Sequence, residues 1–260
     1  MNDLFSLQGR VALVTGGSRG IGRMIATGFL RQGARVYITA RKAAACDAAA
    51  AELSALGPCI SLPADVSTVE AAKALAAEIG RREQALDILV NNAGAAWGEP
   101  FDTFPEKGWD KVMDTNVKAP FFLTQAMHGL LKAGASQRPA KVINIASIDG
   151  ISVNPWETYS YAASKAGLIH LTRRMALRLA QDNIVVSAIA PGAFASEMNK
   201  EARDHGDKVA RRVPIGRVGT LEDMAGTAIY LASRAGDYVV GETVVVDGGV
   251  THVRSGFDEE

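Results

Sequence analysis

The sequence predicts an α/β fold in which helices cover both faces of one parallel β-sheet. Apolar runs of strand length alternate with longer helical patterns along the chain, which is the pattern of repeated βαβ units. Of the 260 residues, 48% are hydrophobic and 22% are charged, which is enough apolar material for a large core. No linker and no internal repeat interrupts the alternation. We therefore expect one domain that spans residues 1–260.

Seven segments are predicted to be β-strands because they are short, apolar and rich in Val and Ile. They are residues 11–14, 35–39, 59–62, 86–90, 141–145, 184–189 and 243–246. Most are apolar throughout and do not alternate with polar residues, as expected for strands that are buried on both faces. The sequence therefore predicts one sheet of seven parallel strands.

The helices are predicted at about residues 20–32, 43–56, 69–82, 106–132, 160–181 and 221–233. Ser67 and Thr220 stand where an N-cap hydroxyl is useful, and each is followed by an acidic residue in the first turn. The last residues, 251–260, follow the final strand, and we expect them to be loose or to form an oligomer contact.

Charge and cysteine content exclude several classes of partner. The 28 Lys and Arg residues balance 28 Asp and Glu residues, so no strong field attracts nucleic acid or an acidic membrane surface. No apolar run approaches transmembrane length, and the first residues lack the features of a secretory signal. Cys46 and Cys59 lack the spacing of a metal site or a disulfide framework. We expect a cytoplasmic protein without a metal, a nucleic-acid partner or a membrane partner.

The first strand runs into a glycine-rich turn, TGGSRGIG at residues 15–22, and then directly into an amphipathic helix. Gly16 allows the tight turn, Gly20 lets the backbone approach a pyrophosphate, and Gly22 permits close helix packing. The N-terminus of the helix faces the anion. This context predicts a dinucleotide site whose contacts include Gly16, Ser18, Arg19, Gly20 and Ile21.

The end of the second strand indicates which dinucleotide is bound. An Asp or Glu there accepts a hydrogen bond from the ribose 2′-hydroxyl of NAD, whereas a 2′-phosphate requires Arg. The strand ends without an acid and is followed by Arg41. Arg19, in the glycine turn, is placed to contact the same phosphate. The sequence therefore favours NADP.

Five motifs together carry a family resemblance. They are TGGSRGIG, NNAG at residues 91–94, Ser147, Tyr161-x-x-x-Lys165 and Pro191-Gly192. In order and approximate spacing they resemble the short-chain dehydrogenase/reductase family, from about residue 7 to residue 249. Within the family, the segments FSLQGRVALVTGGSRGIG, ITAR, LDILVNNAG and SYAASKAG are most similar to bacterial β-ketoacyl reductases, especially the rhamnolipid-associated type. Gluconate 5-dehydrogenases share nearly the same skeleton.

The resemblance implies a Rossmann-type sheet with strand order 3-2-1-4-5-6-7, a bound nicotinamide dinucleotide and a homotetramer or homodimer. It also implies an NADP(H)-dependent oxidoreductase that interconverts a carbonyl and a secondary alcohol. A β-ketoacyl (3-oxoacyl) reductase, a sugar-acid dehydrogenase of the gluconate 5-dehydrogenase type and a general ketone reductase all stay open. A dinucleotide-sensing binding protein is the alternative that is not an enzyme.

The segment YSYAASK, residues 159–165, offers two tyrosines for proton transfer. A free tyrosine has a pKa of about 10, and lowering it to about 7 requires roughly 4 kcal/mol of stabilisation of the phenolate. A lysine one helical turn away supplies part of this, and the oxidised nicotinamide adds more. Tyr161 and Lys165 have that spacing, whereas Tyr159 is separated from Lys165 by roughly 600° of helix rotation. Geometry therefore selects Tyr161.

The family resemblance assigns the remaining catalytic roles. Ser147 follows the fifth strand, where open α/β sheets bind ligands, and holds the substrate oxygen against Tyr161. Lys165 hydrogen-bonds the nicotinamide ribose, lowers the pKa of the tyrosine and passes protons to a water. The backbone carbonyl of Asn116 holds that water. The predicted catalytic residues are thus Asn116, Ser147, Tyr161 and Lys165.

Further dinucleotide contacts are carried over from the family by position. Asp65 and Val66, after the third strand, resemble the adenine-binding pair. The NNAG residues border the adenine ribose and stabilise the central strand, and the residues after the sixth strand lie under the nicotinamide. Ser196 replaces the usual threonine that holds the carboxamide. The predicted contacts are Asp65, Val66, Asn91, Asn92, Ala93, Gly94, Ile189, Pro191, Gly192 and Ser196, together with Tyr161 and Lys165.

The substrate is predicted less closely than the reaction. Residues 193–219 are polar and lack regular apolar repeats, which is typical of a substrate lid. The loop between Ser147 and Tyr161 carries an extra residue relative to many family members. Arginines of the lid could meet an acyl-carrier phosphopantetheine or an acidic carrier surface. Apolar residues that could line the pocket are Trp97, Trp156, Phe194 and Met198, and the lid arginines are Arg203, Arg211 and Arg212.

Overall fold

The computed structural model describes residues 3–253 and contains one seven-stranded sheet. The strands are β1 (Val11–Thr15), β2 (Arg35–Thr39), β3 (Cys59–Ser61), β4 (Ile88–Asn91), β5 (Ala140–Ile145), β6 (Ile184–Pro191) and β7 (Thr243–Val246). All neighbouring pairs are parallel, in the order β3-β2-β1-β4-β5-β6-β7. The predicted fold class and strand order are confirmed.

The helices lie between the strands as predicted, with differences in detail. They are α1 (Gly20–Arg31), α2 (Ala43–Leu53), α3 (Val69–Arg82), α4 (Glu106–Met113), α5 (Ala119–Gly134), α6 (Tyr159–Leu179), α7 (Lys200–Asp204), α8 (Gly206–Ala210) and α9 (Leu221–Ala232). The short helices α7 and α8 lie in the segment predicted to be irregular. Of the predicted tail, residues 254–260 lie outside the described residues.

Two predictions about helices are corrected. The single helix expected for residues 106–132 is interrupted by a π-helical turn, Asp114–Lys118, in which the Ala119 N–H bonds to the Asp114 carbonyl. Such turns accommodate one extra residue in a helix. The N-cap of α3 is Thr68 and not Ser67, since the Thr68 hydroxyl accepts the Ala71 N–H at 3.2 Å. Thr220 caps α9 as predicted, in a capping box with Asp223.

Two layers of helices bury the two faces of the sheet. Helices α1, α2 and α9 cover one face, and α3, α5 and α6 cover the other. Successive side chains of a strand point to opposite faces, so Val14 packs in the first layer and Leu13 in the second. Within residues 3–253, no helix combines the length and the apolar character needed to cross a membrane.

The strand order places the connecting loops that matter for function at one edge. Because the strands are parallel, their carboxyl ends meet at the same edge of the sheet. β1 pairs with β2 on one side and with β4 on the other, so the chain reverses its direction of winding beside β1. A crevice at such a switch point is where open α/β sheets bind ligands.

Candidate active site

The glycine turn between β1 and α1 is open to an anion. Gly16 and Gly20 have φ angles of 65° and 52°, in the left-handed region that favours glycine. No side chain caps the N-terminus of α1, and its first turn contains no acidic residue. The first N–H groups of α1 therefore have no side-chain partner, and the positive end of the helix is not neutralised. This arrangement fits a pyrophosphate.

Asn92, the residue after β4, holds the glycine turn in place. Its Nδ2 donates to the Thr15 carbonyl at 2.8 Å and to the Gly16 carbonyl at 3.3 Å. The Thr15 hydroxyl in turn accepts the backbone N–H groups of Asn92 and Ala93, both at 2.9 Å. A Cβ on Gly16 would lie 2.9 Å from Asn92 Nδ2, so only glycine permits this approach. The predicted contact residue Asn92 therefore positions the turn with its side chain.

The two arginines predicted to meet a 2′-phosphate are both available. Arg19 and Arg41 are exposed, and neither forms an ion pair with another residue of 3–253. The nearby Arg23 and Arg35 differ, because they pair with Glu52 and Glu83. Two unpaired guanidinium groups and no carboxylate at the end of β2 fit a 2′-phosphate.

Ser147, Tyr161 and Lys165 meet beyond the end of β5. Ser147 is buried and caps a 3₁₀ turn, Ile148–Gly150, by accepting the Asp149 N–H at 3.2 Å. Tyr161 and Lys165 lie in the first two turns of α6. The Lys165 Nζ is 5.5 Å from the centroid of the Tyr161 ring and donates to the Ile145 carbonyl at 2.7 Å. The structure thus brings the three predicted side chains together.

Burial is the largest cause of the pKa shifts of Tyr161 and Lys165. Burial raises the pKa of Tyr161 to about 12, although a hydrogen bond to Ser147 acts in the opposite sense. Burial also lowers the pKa of Lys165 to about 8. The lowering of the tyrosine pKa that we expected from Lys165 is therefore not present in the protein alone. Desolvation of the phenolate is the largest cause of the raised pKa, and the oxidised nicotinamide would have to lower it.

Asn116 lies in the π-helical turn and is 1% exposed. Its Oδ1 accepts the Ala95 N–H at 2.8 Å, and its Nδ2 donates to the Ala95 carbonyl at 2.9 Å and to Ser164 Oγ at 3.0 Å. The side chain therefore ties the loop after β4 to α6, next to Lys165. Both amide atoms thus have partners within the protein, and the contact of the Asn116 backbone carbonyl with a water stays a prediction.

Asn91 lies deeper than expected. Its side chain is 4% exposed and donates to Asn144 Oδ1 at 2.8 Å and to Thr124 Oγ1 at 3.2 Å. Asn144 continues this chain to Thr172 Oγ1 at 2.9 Å. The side chain of Asn91 thus stabilises the central strands, as predicted, but it is turned into the core and not toward a ribose.

The remaining predicted contacts lie along the same edge. Asp65 is exposed and accepts the Ser67 N–H at 3.1 Å, and Val66 is buried. Ser196 accepts the Asn199 N–H at 3.0 Å. A Cβ on Gly20 would lie 3.2 Å from the Ser196 Cβ, so the turn after β6 reaches the glycine turn. Ala93 and Gly94 follow β4, Ile189 and Pro191 belong to β6, and Gly192 follows it.

The apolar residues predicted to line a pocket differ in their exposure. Phe194 is 3% exposed and packs against Gly219, so it belongs to the core and not to a pocket wall. Trp97 is half-buried against Gly108. Trp156 and Met198 are 57% and 53% exposed and remain available to a substrate.

The sequence left Tyr159 as a wall or packing residue, and the structure packs it edge-to-face on Phe101 and Phe104, with ring centroids 5.6 and 5.8 Å apart. Sequence reasoning missed one feature beside the catalytic group. Asp149 stands two residues after Ser147 and acts electrostatically on Tyr161 and Lys165. An acid so close to a catalytic serine was a visible signal in the sequence.

Comparison with known proteins agrees with this geometry. Residues 16–251 match the family described as Enoyl-(Acyl carrier protein) reductase. The rhamnolipids biosynthesis 3-oxoacyl-(acyl-carrier-protein) reductase of Pseudomonas aeruginosa is 47% identical over 253 residues, which cover 96% of this chain and 99% of that protein. The gluconate 5-dehydrogenase of Gluconobacter oxydans is 38% identical over 254 residues, covering 96% and 97%.

A solved structure is also closely similar. The Pseudomonas aeruginosa RhlG/NADP active-site complex superposes with a TM-score of 0.93 and 46% identity, covering 96% of this chain and 100% of that chain. The glycine turn at the switch point and the Ser-Tyr-Lys group beyond β5 define an enzyme that transfers hydride with a nicotinamide dinucleotide. The chain belongs to the short-chain dehydrogenase/reductase family, as the sequence motifs indicated.

Proposed function

We propose that this protein is an NADP(H)-dependent oxidoreductase that reduces the ketone of a 3-oxoacyl thioester to a secondary alcohol. The observation that carries the proposal is the meeting of Ser147, Tyr161 and Lys165 at the sheet edge that also holds the glycine turn. The 47% identical relative, a 3-oxoacyl reductase, supports this substrate class.

The cofactor would lie along the carboxyl edge of the sheet. The glycine turn and the N-terminus of α1 would hold the pyrophosphate, and Arg19 and Arg41 the 2′-phosphate. Asp65 and Val66 would contact the adenine, and Ser196 the carboxamide. When bound, NADPH supplies the hydride that the carbonyl carbon accepts. The NADP named in the similar solved structure supports this choice of cofactor.

The side chains of the site would then handle the proton. The Ser147 hydroxyl would donate a hydrogen bond to the ketone oxygen and so orient it toward Tyr161. Because burial raises the pKa of Tyr161 to about 12, this tyrosine is protonated at neutral pH and can donate its proton to the oxygen as negative charge develops there.

Lys165 would restore the proton that the tyrosine gives up. Burial lowers its pKa to about 8, so most of it still carries a positive charge at neutral pH. That charge stabilises the phenolate left by proton transfer. A water held by the backbone carbonyl of Asn116 would connect the ammonium to solvent.

Exposed apolar side chains favour a thioester with an alkyl chain. Ile151, Val153 and Trp156 follow Ser147, and Met198 and Ile215 lie in the predicted lid, residues 193–219; all are 43% exposed or more. An alkyl chain would bury part of this surface. A sugar acid is favoured by the 38% identical gluconate 5-dehydrogenase.

The acyl group could be presented by a carrier protein. Arg203 pairs with Glu197 and Asp204, so it is occupied within the lid segment. Arg211 and Arg212 are exposed and form no ion pair within residues 3–253, so they are the arginines that we propose for a phosphopantetheine or an acidic carrier surface. We also propose a homotetramer or homodimer in the cytoplasm, as is usual for the family that the sequence resembles.

A substrate panel tests the proposal. The purified protein is offered 3-oxoacyl thioesters of several chain lengths, 5-ketogluconate and cyclic or aromatic ketones, and consumption of NADPH or NADH is followed by absorbance. We expect NADPH-dependent reduction of the thioesters and none by the Tyr161→Phe variant. A preference for 5-ketogluconate would show that the substrate class is a sugar acid and not a thioester. Cofactor binding without turnover of any substrate would favour a dinucleotide sensor.

A further inference from the structure

The 3₁₀ turn Ile148–Gly150 connects Ser147 to Asp149, an acidic residue near the catalytic pair. Ser147 Oγ accepts the Asp149 N–H at 3.2 Å, and the Gly150 N–H bonds to the Ser147 carbonyl at 3.1 Å. Both bonds fix Asp149 relative to Ser147. The turn therefore places a titratable group two residues from the serine that would orient the substrate.

The same turn packs directly on the backbone of α6. A Cβ on Gly150 would lie 2.6 Å from the carbonyl carbon of Lys165 and 2.7 Å from the Ala166 nitrogen. Only glycine permits such an approach between two backbones. The distance between the Asp149 backbone and the helical turn that carries Lys165 is thus set by contact between two backbones.

We propose that the Asp149 carboxylate is a positioning residue of the active site, which acts through Tyr161 and Lys165 to hold both side chains in their protonated forms. This inference rests on the function proposed above. A negative charge at this place stabilises the ammonium of Lys165 and destabilises the phenolate of Tyr161. The proton-donating state of the pair therefore persists to higher pH than it would with a neutral residue at this position.

The charge of Asp149 acts in the same direction on both members of the pair. Asp149 raises the pKa of Lys165 against the larger effect of burial, and it adds to the effect of burial on the pKa of Tyr161. Burial raises the pKa of Asp149 itself, while hydrogen bonding by Asn154 and the charge of Lys165 favour its ionised form. Within residues 3–253, Asp149 is the charged group that shifts the pKa of either member of the pair.

The first test is the pH dependence of the Asp149→Asn variant in both reaction directions. Reduction slows as pH rises through the apparent pKa of the pair, and oxidation of the alcohol quickens through the same pKa. Without the carboxylate, both midpoints should move to lower pH by about half a unit or more, the effect of one nearby, partly solvated charge. Asp149→Glu should restore the wild-type profile. A merely structural role would lower the rates without moving the midpoints.

Glu157→Gln provides a matched control. Glu157 lies in the same loop, but its carboxylate acts on Tyr159 and not on the catalytic pair. This variant should keep the wild-type midpoints. Unmoved midpoints in Asp149→Asn, or an equal movement in Glu157→Gln, would overturn the inference.

A second measurement does not depend on the substrate. Urea unfolding of the wild type, Asp149→Asn, Lys165→Met and the double variant gives the coupling between the two side chains. The coupling should be favourable at about pH 6.5 and mostly lost at about pH 9.5, where Lys165 is neutral. If no carbonyl is reduced but this coupling is present, the proposed function fails and the inference stands. If no coupling is found at either pH, the inference is wrong whatever the enzyme reduces.

Discussion

Replacement of Asn116 by alanine removes the side chain that connects three parts of the site. The amide bonds to both the N–H and the carbonyl of Ala95, at 2.8 and 2.9 Å, and to Ser164 Oγ, at 3.0 Å. Ser164 itself donates to the Tyr161 carbonyl at 2.7 Å. The variant therefore loses the connection between the loop after β4 and the helix that carries Tyr161 and Lys165.

The expected decrease in the free energy of unfolding follows from the number of lost hydrogen bonds and from their burial. Asn116 is 1% exposed, so no bulk water can replace its amide. Each hydrogen bond lost at a buried site costs about 1 kcal/mol, so the three together amount to about 3 kcal/mol of the free energy of unfolding. For a chain of this size that loss corresponds to a decrease in Tm of roughly 6–12 °C.

Urea unfolding followed by circular dichroism measures this loss. Gln125→Ala is the matched control, because Gln125 is an exposed amide on the adjoining helix α5, and its replacement should change stability by no more than about 0.5 kcal/mol. A loss below about 1 kcal/mol for Asn116→Ala would refute the argument, since it would mean that the three bonds do not hold the loop and the helix together.

Three further predictions concern the catalytic tyrosine, the choice of cofactor and the pH dependence of stability. Tyr161→Phe should abolish turnover and keep nearly wild-type dinucleotide affinity in a fluorescence titration, whereas Tyr159→Phe should keep most activity; the reverse pattern would move the catalytic role to Tyr159. Arg41→Ala should raise the KM for NADPH about tenfold, the loss of one charge-assisted hydrogen bond, with little change for NADH; equal changes for both cofactors would show that Arg41 does not contact a 2′-phosphate. Asp223→Ala removes a capping box and the partner of Arg217, and should cost about 1 kcal/mol at neutral pH. The Arg217 bond holds the pKa of Asp223 well below its usual range. The stability from Asp223 is therefore complete above the unfolded pKa of about 3.9 and is lost as pH falls through the folded pKa. Chemical denaturation of both proteins at neutral and acidic pH measures this, and a cost of Asp223→Ala that does not shrink in acid would contradict it.

The pattern of apolar segments along the sequence was sufficient to predict the seven-stranded parallel sheet. Continuous apolar strands are required where a parallel sheet is covered on both faces, and the seven strands were found near their observed positions. The spacing of Tyr161 and Lys165 on one helix face was also readable, because the helical period applies before any tertiary contact forms. The ends of elements were less certain, as the π-helical turn at Asp114–Lys118 and the cap at Thr68 illustrate.

Contacts between distant segments were decided only by the tertiary structure. The bonds of Asn116 to Ala95 and Ser164 join residues 21 and 48 positions apart, and no local pattern specifies them. Phe194 could have lined a pocket, but its neighbour Gly219 places it in the core.

The sequence by itself predicted the α/β fold class, the glycine turn and the pairing of Tyr161 with Lys165, because these depend on periodicity and on spacing within single elements. The strand order and the roles of the site residues were predicted from the resemblance to the family. The structure alone decided the protonation of Tyr161 and Lys165. Burial raises the pKa of Tyr161 to about 12, and the Gly150 backbone seats Asp149 beside Lys165. Desolvation and the distance between charges arise only when separate elements pack, so they are properties of the folded chain.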